Sequence, residues 1–194
     1  MDDRYMLCQV TDYLKTNALL LSTAESCTAG QMIALLASIP GSGQLLESGY
    51  VVYSPEAKQR ILHVSGKTIE VYGLTSEEVA IEMAEGALKG GPANVAVATT
   101  GVAGPDAMDG IDPGTVCMAW LFTRGDHVAV FTQTEHFAGD RYQVQLGASL
   151  YALDKIPVFH RMAVNGEMAA PIGSQRQRSA APFVFSSGRL WRKK

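Results

Sequence analysis

The feature that most constrains the fold is one passage of sequence. Leu19-Leu20-Leu21-Ser22-Thr23-Ala24-Glu25-Ser26-Cys27-Thr28-Ala29-Gly30 runs into Gln31-Met32-Ile33-Ala34-Leu35-Leu36. A short apolar run that gives way to small and hydroxylated residues is a strand entering a tight loop, and the apolar spacing behind it is helical. The chain is therefore committed to a strand, loop, helix unit of the α/β class. At such a junction the first N–H groups of the helix lack partners and its dipole is positive, so an anion or a developing oxyanion is stabilised there. Ser26, Cys27 and Thr28 sit at that point. Two readings stay open: a reactive site, or hydroxyls that only cap the helix. Cys27 is also ambiguous, as a thiol that needs a nearby base or as a small packing residue. With Cys8 and Cys117 it makes an odd, widely spaced set without a CxxC pair, which argues against a disulfide framework and a structural zinc site.

Taken in order, Met6, Leu7, Val10, Tyr13 and Leu14 predict an amphipathic helix over 3–16. A strand over 19–22 and a helix over 28–38 follow, the latter stopped by Pro40-Gly41. Residues 48–53 are β-branched and aromatic, hence a strand, and Ser54-Pro55-Glu56 open a helix with a hydroxyl cap, a proline and an acid in the first turn. Lys58 falls within a turn of that helix start. There a cation is disfavoured and an amine loses basicity, although an ordinary surface lysine fits as well. Residues 64–70 look irregular, and Ser76-Glu77-Glu78 begin a helix that extends to about Lys89. Residues 94–99 suit a buried central strand, followed by the glycine-rich loop Thr100-Gly101-Val102-Ala103-Gly104-Pro105, which is either a phosphate cradle or a simple turn. A polar stretch over 106–112, expected to be mobile, leads to a hairpin over 113–132 that adds antiparallel strands to the sheet. Gly139-Asp140-Arg141 precede a last helix that runs to Lys155. Arg141 opposes the dipole of that helix, so it is held either by an anion or by a nearby aspartate.

Charge placement bounds the partners. Residues 161–194 carry seven basic residues against the single acid Glu167, leaving nine basic against eighteen acidic in the first 160. We therefore expect a folded domain over 1–160, too acidic to bind nucleic acid generally, and a basic, disordered tail over 161–194. No apolar run approaches the roughly 18 residues of a membrane span, and the first residues are acidic where a signal peptide is basic, so a cytoplasmic protein is expected. The four histidines are scattered without metal-ligand spacing, and neither a dinucleotide fingerprint nor a Gly-x-Ser-x-Gly elbow occurs.

Six phrases occur in collinear order: Ala24 to Gly30, Gly49 to Lys58, Ser76 to Ala80, Thr100 to Pro105, Gly114 to Val116 and Phe137 to Arg141. Together they make the chain resemble the C-terminal domain of the competence-damage-inducible protein CinA, whose stand-alone forms include nicotinamide mononucleotide deamidases. The resemblance covers about residues 5–155. It implies a three-layer α/β/α sandwich with a mixed parallel and antiparallel sheet, a homodimer, no metal or other cofactor, and a small nucleotide as substrate. It further implies hydrolysis of a carboxamide to a carboxylate and ammonia, in salvage of pyridine nucleotides. By motif, Ser26 is the nucleophile, with Tyr53 and Lys58 as its proton-transfer partners. Glu25, Cys27, Thr28, Ala29, Gly30, Thr100, Gly101, Gly104 and Arg141 hold the nucleotide. The family carries Gly where this chain has Ala29, and Asn where it has Pro55. A paralogue specific for another amide or lactam, and a nucleotide-binding domain without turnover, remain alternatives at this level.

Overall fold

The computed structural model describes residues 2–166, which form a five-stranded sheet between two layers of helices. In chain order the elements are α1 (Asp3–Thr16), β1 (Leu21–Glu25), α2 (Gln31–Ala37), β2 (Leu46–Val51), α3 (Pro55–Leu62), α4 (Gly66–Tyr72) and α5 (Glu77–Leu88). After these come β3 (Val95–Gly101), β4 (Thr115–Arg124), β5 (His127–His136), α6 (Arg141–Asp154) and α7 (Ile156–Asn165). The strand order is β2-β1-β3-β4-β5. β1 runs parallel to both β2 and β3, and the β4–β5 hairpin adds two antiparallel strands. The mixed three-layer sandwich expected from the sequence is the observed fold.

Strand alternation sends side chains into two cores. Val95, Val97, Met118, Trp120 and Phe122 meet α1, α2, α6 and α7 on one face. Ala24, Ala96, Ala98 and Ala119 meet α3 and α5 on the other. These alanines leave a flat floor, and α5 answers with Ala80, Ala84 and Ala87. Gly86 has the closest approach: a β-carbon there would lie 2.1 Å from the carbonyl oxygen of Leu62, so α3 docks on α5 only because that position is glycine.

Local signals explain most boundaries. Ser54 and Ser76 cap α3 and α5 as read from sequence, accepting from the N–H groups of Ala57 and Val79. Three expectations need correction. β1 begins two residues later than the expected strand start at 19 and runs to Glu25, and α2 begins only at Gln31, because residues 26–30 form the loop between them. Residues 64–70 are not irregular but enter α4. That helix buries no side chain, so it leaves no apolar period to detect, and it is held instead by Ser65 and by Glu82, whose carboxylate accepts from the N–H of Ser65 and the hydroxyl of Thr68, each at 2.6 Å. The helix to Lys155 is not the last: Lys155 both ends α6 and starts α7, whose Ile156, Phe159 and Ala163 join the core. This ordered segment passes residue 160, where the tail was expected to begin. Residues 167–194 lie outside the described residues. Among the described residues no helix is long and apolar enough to cross a membrane.

Candidate active site

The C-terminal ends of the three parallel strands converge, and β1 lies between the other two, the placement that opens a crevice at the strand ends of an α/β sheet. Ser26 follows β1 directly. Its N–H donates to Thr99 on β3 at 3.0 Å, and its residue is 8% exposed. Lys58, on α3, points at it: Nζ donates to Ser26 Oγ at 2.8 Å, and to the carbonyls of Val52 at 2.9 Å and Tyr53 at 3.3 Å. Lys58 is 1% exposed, because α3 buries it together with Leu62, one turn on, against α5. Burial lowers its pKa from 10.5 to about 8. Removal from water is the largest cause, whereas the sequence argument for an unusual lysine rested on proximity to the helix start.

Two carbonyls and one hydroxyl exhaust the three directions of an ammonium. When Lys58 is neutral its two N–H groups suit the Val52 and Tyr53 carbonyls, and the lone pair is left facing Ser26 Oγ. This is the arrangement of a hydroxyl nucleophile beside its base.

Glu25 reorganises the expected oxyanion site. Its side chain is wholly buried, and its carboxylate accepts from the N–H groups of Gly30, Met32 and Ile33 at 3.0 to 3.1 Å and from the hydroxyls of Thr23 and Thr28. The first turn of α2 is therefore capped by an internal anion and is closed to any other. Thr28 Oγ1 donates to Glu25 at 2.8 Å and, having one proton, accepts from Thr99 Oγ1 at 2.7 Å. Around Ser26, the N–H groups of Ala29 and Gln31 go to the carbonyls of Ser26 and Thr28. Among the described residues, only the N–H groups of Cys27 and Thr28 in this loop have no backbone or carboxylate acceptor. Buried N–H groups are rarely left so.

The other expected residues fall into place differently. Burial pushes the Cys27 thiol up to about 12, so it stays protonated and packs in the core, while its carbonyl accepts from Gln145 Nε2 at 2.8 Å. Ala29 stands at φ 55 and Gly30 at φ 91, two left-handed residues in a row; Ala29 is exposed, so its methyl does not fill buried space. Pro55 sits in the first turn of α3, where an N–H has no helical partner in any case. Thr100 donates to Leu74 at 2.8 Å, and Gly101 allows close approach to β4, where a β-carbon would lie 2.4 Å from the carbonyl oxygen of Thr115. Glu25, the Thr28 side chain, Thr100 and Gly101, expected to touch substrate, thus serve contacts within the protein. Among the described residues Arg141 does not pair with an aspartate: Nη1 donates to the Gly104 carbonyl at 2.7 Å and Nη2 to the Tyr53 hydroxyl at 2.5 Å. The structure joins Ser26 to Lys58, and Tyr53 to Arg141. Gln145 and Thr99 were not singled out from sequence; Gln145 lies four residues after Arg141 on α6, the one signal that placed it on the same face.

Residues 4–159 match the model of the CinA C-terminal domain. The chain belongs to the CinA C-terminal domain family. It is 41% identical over 149 residues to the nicotinamide-nucleotide amidohydrolase PncC of Escherichia coli strain K12, covering 76% of this chain and 88% of that one. It is 46% identical over 136 residues to a CinA-like protein of Chlorobium phaeobacteroides, covering 69% of this chain and 32% of the relative. Among solved structures, a CinA superfamily protein of Escherichia coli has a TM-score of 0.74 at 35% identity, covering 80% of this chain and 88% of that chain. The competence damage-inducible protein A of Klebsiella pneumoniae has a TM-score of 0.76 at 34% identity, covering 81% and 98%. The chain therefore spans most of the length of PncC and of these two structures, and about a third of the CinA-like protein.

Proposed function

We propose that this CinA domain is an amidohydrolase that converts nicotinamide mononucleotide to nicotinate mononucleotide and ammonia. The observation that carries the proposal is the buried Ser26–Lys58 pair at 2.8 Å, with the lysine lowered to about 8 by burial. The likeness to PncC supplies the substrate class. Ser26 Oγ attacks the carboxamide carbon while neutral Lys58 takes its proton. The carbonyl oxygen becomes an oxyanion, received by the open N–H groups of Cys27 and Thr28. The C–N bond then breaks, Lys58 returns the proton to the leaving nitrogen, and ammonia departs from a Ser26 ester. Water, deprotonated by Lys58, attacks that ester and releases the carboxylate and the free serine.

Tyr53 enters differently from the sequence expectation. Its hydroxyl engages Arg141, and its ring is 54% exposed, so the pair forms the rim of the site, where Arg141 offers a guanidinium to the nucleotide phosphate and Lys58 alone carries the proton. Ala29 does not oppose the reading, since its side chain faces solvent.

Ammonia release from nicotinamide mononucleotide by the parent protein and by Ser26→Ala tests the proposal. Turnover in the parent and none in the variant is expected; nucleotide binding without turnover in the parent overturns it in favour of a binding domain.

A further inference from the structure

We infer that Gln145 is a positioning residue that aims one of the oxyanion-binding N–H groups through the peptide unit joining Cys27 to Thr28. The inference rests on the proposed attack of Ser26 on an amide. Gln145 is half-buried on α6 and donates from Nε2 to the Cys27 carbonyl at 2.8 Å, across 118 residues of sequence. That carbonyl and the N–H of Thr28 belong to one planar trans peptide, so they point in opposite directions and turn together. Holding the oxygen on the α6 side therefore aims the hydrogen the other way. Thr28 is 1% exposed, and its N–H has no backbone or carboxylate acceptor among the described residues.

Among the described residues no other hydrogen bond reaches this peptide unit. The Thr28 side chain is fixed from beyond Cα, by Glu25 and Thr99, and leaves rotation of the peptide plane to Gln145. Donation to the carbonyl also polarises the amide, which makes its N–H a better donor. The first turn of α2 is no substitute, because Glu25 has taken its N–H groups.

The test compares the parent with Gln145→Met, which keeps the volume and loses the donor, and with Gln145→Lys, which restores a donor of similar reach. Two probes separate positioning from general damage. Pyridine-3-boronic acid forms a tetrahedral anionic adduct with the serine oxygen and so needs the oxyanion donors; nicotinate mononucleotide, a planar carboxylate, does not. Affinities read only the folded molecules, so a partly unfolded variant is still informative. For Gln145→Met we expect kcat to fall by about 10- to 100-fold with KM moved less than about threefold, since misaiming a donor costs less than deleting one. Boronate affinity should fall by the same factor and product affinity should hold, while Gln145→Lys recovers most of both losses. Unchanged kcat and boronate affinity in Gln145→Met, or equal weakening of both probes, overturns the inference. A parent without ammonia release defeats the deamidase reading instead, and the boronate comparison still decides Gln145, because that adduct requires the serine and the N–H donors but no turnover.

Discussion

Replacing Lys58 by Met separates the chemistry of the buried amine from its effect on folding. In the folded protein burial holds Lys58 at about 8, whereas the unfolded chain restores the ordinary 10.5. Between those values the unfolded chain binds a proton that the folded chain does not, so folding strengthens as pH rises through the interval and weakens as pH falls through it. The full difference is about 3 kcal/mol once pH is below both values, and roughly 1 kcal/mol of it lies between about pH 7 and about pH 9. Methionine abolishes this dependence. The parent should therefore gain about 1 kcal/mol on Lys58→Met between those two pH values, with every other titration cancelling in the difference. Near neutral pH the variant is relieved of the cost of burying an ammonium but loses three hydrogen bonds of about 1 kcal/mol each, so the two effects nearly offset. Urea unfolding followed by the fluorescence of buried Trp120 measures both quantities. A parent-minus-variant difference that stays flat with pH refutes the reasoning, as does a neutral-pH loss well above about 3 kcal/mol, the signature of a cation retained for structure. Ammonia release should vanish in the variant in either case.

Three further outcomes follow from the same geometry. With Lys58 at about 8, kcat/KM for nicotinamide mononucleotide should rise about tenfold per pH unit below that value and level off above it; a profile flat from pH 6 to 9 removes Lys58 from the base role. Ala29→Gly relieves an L residue at φ 55, a conformation that costs roughly 1–2 kcal/mol, against a loss of up to about 1 kcal/mol from glycine entropy, so a gain of about 0.5 kcal/mol in urea is expected and a loss would show that the loop is unstrained. Glu25→Ala strands three N–H groups and two hydroxyls in a buried loop, for a loss of about 3–5 kcal/mol and a fall in Tm of roughly 10 °C or more, read by calorimetry.

The residues that sequence reading placed well are those whose signals are local. Ser54, Pro55 and Ser76 mark helix starts through their own chemistry, and the alternation of Val95 to Ala98 announces a strand buried on both faces. What was hidden depends on distant packing. Lys58 looked like a surface lysine by type, although its one-turn spacing from Leu62 placed it on the buried face of α3. Glu25 looked like a ligand residue, because a cap supplied from five residues before Gly30 has no sequence signature. α4 left no apolar pattern, and Gln145 has no motif of its own; only the fold brings it to Cys27.

The brace from α6 gives the site a timetable. Ser26 and Lys58 lie 32 residues apart and leave the ribosome almost together, whereas Gln145 is synthesised 118 residues after the carbonyl it holds. On the proposed reading, alignment of the site waits for α6, the helix that follows the whole sheet.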